Sequence, residues 1–105
     1  MTQTKQLGRY DTFVSWGKTG MAKDVDRLME ALVTRDDLAT SKLVDFAMSL
    51  VKTPEGIAHL KDYLFNGTQV QRNYAALYFK RKGQSDLIDR AFNLGLIDLD
   101  QAYLQ

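Results

Sequence analysis

His59 is the single histidine of the chain, and cysteine is absent, so one imidazole is all that is on offer for histidine- or thiolate-based chemistry. Glu55 stands one helical turn before it and Asp62 three residues after it, close enough for both carboxylates to share its side of a helix. A general base also needs a nucleophile and a cleft, and no serine has a recognisable setting. The spacing therefore predicts an exposed histidine on a charged helix face. No catalytic residue, metal site or cofactor is expected, and the chain reads as a non-enzyme.

Gly17-Lys18-Thr19 matches the end of a phosphate-binding loop. That motif requires another glycine five residues earlier, after a buried strand, so that backbone amides can encircle the phosphates. Thr12 occupies the position and no β-branched run precedes it. A plain loop with glycines at both ends, Gly17 to Gly20, is expected instead. Asn66-Gly67-Thr68 satisfies the glycosylation sequon but reads as a helix end followed by a cap.

The densest charge is Arg72 with Lys80, Arg81 and Lys82, and no acid lies between Gly67 and Gly83. Tyr74 and Tyr78 are interleaved, as on a surface that stacks bases. Cations in the last turn of a helix have a local reason too, since they complement its carbonyl end. Arg72, Tyr78, Lys80, Arg81 and Lys82 are the candidate partner-binding residues. A protein partner is the expectation, with nucleic acid held by the same cations as the alternative.

The elements that must carry these groups read as helices. Tyr10, Phe13 and Val14 sit at helical offsets in a short helix ending near Gly17. From Ala22 to Val33, Val25, Leu28, Met29 and Leu32 form one stripe. Asp36 or Thr34 is the expected cap of a helix running to about Lys52. Its polar stripe is narrow, and Leu38, Leu43, Val44, Phe46, Ala47, Met48, Leu50 and Val51 cover the rest. Thr53-Pro54 is a capping hydroxyl followed by proline at the first helical position. Ile57, Leu60 and Leu64 line the helix behind it, and Gly67 is expected in the left-handed conformation at its end.

Thr68 with Gln71 matches a capping box, and the helix it opens carries Val70, Tyr74 and Leu77 opposite Ala75 and Phe79. Ser85 caps a helix that Gly95 ends. Asp98 with Gln101 opens a last short one.

An offset of about 32 residues superposes the first two helix pairs, with Val25 on Ile57, Leu28 on Leu60, Leu32 on Leu64 and Leu38 on Val70. Face widths alternate with the same period. The run Gln71-Arg72-x-x-Ala75-Ala76-x-x-Phe79-x-x-x-Gly83 resembles the second helix of a HEAT repeat, whose pattern is Val-Arg, Ala-Ala, Leu and Gly at these spacings. Gln71 departs from it where an apolar residue is usual, and Leu38 to Val51 lacks the alanine pair. The resemblance implies stacked αα-hairpins that bind other chains along one extended face.

With 105 residues, 45% hydrophobic and 26% charged, the chain suits one globular domain. A tail and short capping helix are expected over 1–20 and a single repeat-like helical domain over 21–105. The architecture expected is all-α: a short right-handed α-α superhelix of five to seven helices, with an up-and-down bundle as the alternative. A net charge of +1 supplies no global field toward nucleic acid or anionic lipid. The polar start MTQTKQLGRYD lacks the apolar core of a secretory signal, and no run approaches the roughly 20 residues that span a bilayer. A cytoplasmic monomer or homodimer is expected, with no membrane contact. Tyr10, Phe13 and Trp16 form the candidate cap, or an interface if the cap is incomplete.

Overall fold

Thr53 accepts a hydrogen bond from the Gly56 amide and Pro54 follows at the first helical position, so α4 (Pro54–Asn66) starts where its sequence signal places it. The same logic recurs along the computed structural model, which describes residues 8–35 and 37–104. Thr68 and Gln71 exchange both bonds of a capping box at the head of α5 (Gln69–Arg81). Asp98 accepts from the Gln101 amide to open α7 (Leu99–Tyr103). Gly83 and Gly95 take left-handed backbone after α5 and α6 (Ser85–Asn93), where carbonyls left open by the helix are bonded by the next amides. With α1 (Arg9–Thr19), α2 (Ala22–Thr34) and α3 (Leu38–Ser49), the described residues form seven α-helices and no strand. The fold is all-α.

Several local expectations are corrected. Helix α1 runs through Gly17 and ends at Gly20, whose φ is +63°. Gly17 is buried because α1 lies directly on the Ala47 backbone of α3, and a Cβ there would meet the Ala47 carbonyl. The cap of α3 is Asp37, which accepts from the Thr40 amide at 2.7 Å; Thr34 instead ends α2, and Asp36 lies outside the described residues. Helix α3 stops at Ser49 rather than Lys52. Gly67 is extended, with φ of −77°, because its amide already reaches the Tyr63 carbonyl without a left-handed turn. Gln84, not Ser85, precedes α6 and makes no side-chain cap.

Helix pairs α2–α3, α4–α5 and α6–α7 pack in sequence, with α1 laid over the first pair. Helices α2 and α4 run side by side in one direction. Ala22 donates its amide to Glu55 near both helix starts, and further along Asp26 is bonded to His59 and Tyr63. Both helices span 13 residues. The molecule is elongated, 55 × 29 × 21 Å.

The core is a ribbon along this long axis. It takes Val25, Leu28 and Met29 from α2, Val44 and Met48 from α3, and Leu60 and Leu64 from α4. Helix α5 gives Ala75, Ala76 and Phe79; Ile88, Ala91, Ile97 and Ala102 close the far end. Each large aliphatic so buried contributes about 1.5–3 kcal/mol relative to exposure. Helix α5 touches α2, α3, α4, α6 and α7, which is why so much of its circumference is apolar. Leu38 and Phe46 of α3 have no such cover and stay exposed.

Candidate interaction cleft

The nominated cations divide by what their side chains reach. Arg72 is consumed internally: Nε donates to the Leu96 carbonyl at 2.7 Å, Nη1 to the Gly67 carbonyl at 2.8 Å and Nη2 to Gln69 Oε1 at 2.7 Å. It clamps the loop between α6 and α7 onto α5. Lys80 caps α7 by donating from Nζ to the Gln101 and Leu104 carbonyls, both at 2.8 Å. Arg81 forks onto Asp45 of α3 at 2.9 and 3.1 Å. These three cations hold helices together, so they do not form the shared basic face that their proximity in sequence implies.

Tyr78 is not an exposed aromatic anchor. It is 3% exposed, and its hydroxyl donates to the Val51 carbonyl at 2.6 Å. Burial raises the pKa of that phenol, which stays protonated and able to donate. Lys82 lies over the Tyr78 ring, 5.2 Å from its centroid.

Lys82 and Tyr78 belong to a different site. They border a cleft of about 390 Å³ between α4, α5 and the start of α6. Lys52 at the α3–α4 junction and Lys61 of α4 complete three lysines around it. Ile57, Phe79 and Leu87 supply apolar walls, and Gln84 and Tyr78 the neutral polar side chains. No carboxylate lines it. Lys52, Lys61 and Ile57 were missed as site residues because the first lies at the α3–α4 junction and the other two on α4, away from Lys82 along the chain, and none stands in a charge run. The only available signal was that Lys52, Lys61 and Lys82 all lie outside the apolar stripes.

Of the N-terminal aromatics, Phe13 is buried and stacks on Trp16 at 5.1 Å, with the Arg27 guanidinium over the Trp16 ring. These two close the end of the first helix pair. Tyr10 does not: it is 57% exposed and lies against Phe46, which is itself exposed.

His59 faces a partner that local spacing did not reveal. Its Nε2 lies 2.6 Å from Asp26 of α2, and the Tyr63 hydroxyl donates to the same oxygen. Glu55 and Asp62 are engaged elsewhere, by the Ala22 amide and the Asn66 side chain. Partial burial opposes ionisation of Asp26, but the bonds from Tyr63 and His59 outweigh it and hold its carboxyl below the usual range. The group joins α2 to α4 on an open face.

Among the described residues, no three histidine, cysteine or acidic side chains gather as a metal site, and no helix is long and apolar enough to cross a membrane. No family model, curated protein or solved structure matches the chain.

Proposed function

We propose that this protein is a non-catalytic interaction module that binds another protein, a short stack of helix hairpins of the HEAT-like kind acting inside the cell. One observation carries the reading. Most of the nominated basic cluster is spent on internal carbonyls and Asp45, whereas three lysines from separate elements surround an apolar recess with no acid in its lining. Exposed cations around an apolar recess are the makings of a contact surface, since recessed apolar groups supply affinity and rim charges supply orientation and rate.

Nucleic-acid binding by Arg72, Lys80 and Arg81 is the weaker reading. Those cations have protein partners, and Tyr78 is too buried to stack a base. Affinity capture on the tagged protein, with and without nuclease, separates the two. The protein reading expects a defined polypeptide that survives nuclease and is reduced for Lys61→Glu/Lys82→Glu. Loss of all capture on nuclease treatment, with a steep salt-dependent shift of single-stranded DNA or RNA, would replace it with the second reading.

A further inference from the structure

The lysine-rimmed cleft has enough definition to say what it takes. We infer that it receives a short acidic segment of a partner protein that carries one bulky aliphatic or aromatic side chain between its carboxylates. This rests on the reading of the protein as an interaction module.

The floor is Phe79, 2% exposed, with Ile57 and Leu87 as walls; Ile57 is 37% exposed and has nothing over it. The recess, at about 390 Å³, lies near the small end of the roughly 300–1,000 Å³ of ordinary ligand sites, so it takes one anchoring side chain rather than a row of them. Lys52, Lys61 and Lys82 stand around it from the α3–α4 junction, α4 and the end of α5. An apolar anchor that enters here brings its neighbouring residues beside the three ammonium groups. Carboxylates at those neighbours are favoured, and cationic neighbours are excluded by like charge.

Rim and recess together select among anions. Ammonium groups are point charges that attract carboxylate and phosphate alike, so the selection comes from the apolar recess between them, which a bare phosphate leaves unfilled and an apolar anchor flanked by carboxylates fills. Here the arginines nearest in sequence, Arg72 and Arg81, are both turned to protein partners. A flat anionic membrane would meet the lysines but leave the recessed apolar floor unfilled. Nucleic acid would need an exposed stacking face, and Tyr78 offers its ring to Lys82 instead. Gln84 adds an amide able to pair with the backbone of an extended segment.

The probe is a fluorescein-labelled, amidated pentapeptide Asp-Glu-Leu-Asp-Glu, followed by anisotropy and by amide shifts in a nitrogen-15 spectrum of the whole chain. Saturable binding that weakens with salt is expected, with shifts gathered at Ile57, Lys61, Phe79 and Leu87. Replacing the leucine by glycine, or the acids by their amides, should each abolish saturation. Lys61→Glu/Lys82→Glu should weaken binding by at least about tenfold. Because neither lysine makes an ion pair among the described residues, this double variant should keep the wild-type helical spectrum. Lys61→Gln/Lys82→Gln provides a second, milder test.

No saturation by the acidic peptide overturns the proposal, as do shifts centred outside the cleft. Equal binding of the glycine peptide, or reproduction of the shifts by sodium triphosphate alone, reduces the cleft to an anion site and also overturns it. If the peptide fails while nuclease-resistant capture of a protein persists, the interaction reading stands and only the assignment to this cleft falls.

Discussion

The Tyr78 hydroxyl donates to the Val51 carbonyl at 2.6 Å, joining the C-terminal part of α5 to the chain just past α3 in a buried setting. Val51 follows α3 and Tyr78 borders the lysine cleft, so one bond links the packing of α3 and α5 to the shape of the candidate site. Removing the hydroxyl leaves a buried acceptor unpaired, which costs about 1–3 kcal/mol. Tyr78→Phe is expected to lower the urea midpoint by an amount in that range without changing helix content. An unchanged midpoint would mean that water replaces the bond.

Gly17 tests the contact between α1 and α3. Alanine normally gains up to about 1 kcal/mol over glycine inside a helix. Here its Cβ would stand 2.8 Å from the Ala47 carbonyl carbon, so the helices must part, and overpacking of this kind costs about 1–3 kcal/mol. Gly17→Ala should therefore lower the melting temperature, against the helix-propensity trend. A higher melting temperature would refute the close approach.

Two cations ten residues apart should behave oppositely. Arg72→Ala removes three hydrogen bonds, including those to the Leu96 and Gly67 carbonyls, and is expected to cost about 1.5–3 kcal/mol in chemical denaturation. Lys82→Ala loses only a ring contact at an exposed position and should stay within about 0.5 kcal/mol of wild type. Equal losses would contradict the division between structural and available cations.

Asp26 sets an acid dependence. Its folded pKa lies below the unfolded value, so the stability it contributes is complete above the unfolded pKa and disappears as pH falls through the folded one. The carboxylate is half exposed, which limits its share to about 0.2–1 kcal/mol. Asp26→Asn should flatten the acid limb of a melting-temperature profile below the ordinary aspartate pKa of about 4 and lie nearest wild type at the lowest pH. A parallel downward shift at every pH would show that the carboxylate's charge is not responsible.

The helix pattern was legible because its signals are local. Thr53 with Pro54, and Thr68 with Gln71, satisfy backbone donors within one turn, and their bonds form as the sequence predicts. The stripe Val25, Leu28, Met29 and Leu32 is buried for the same reason: helical period and side-chain hydrophobicity already name the inner face. Gly17 misled because a glycine that ends a helix and one that lets another helix approach look alike along the chain.

By itself, then, the sequence determined an all-helical chain, most of its caps and the faces that turn inward. Only the tertiary structure decided which polar groups are free. Arg72, Lys80 and Arg81 look like neighbours of Lys82, yet their partners Leu96, Leu104 and Asp45 lie 24 to 36 residues away. Lys52 and Lys61, remote from Lys82 along the chain, meet it at one cleft. Long side chains reach across helix packing, and the identity of what they reach is set by how the helices pack, not by spacing along any one helix.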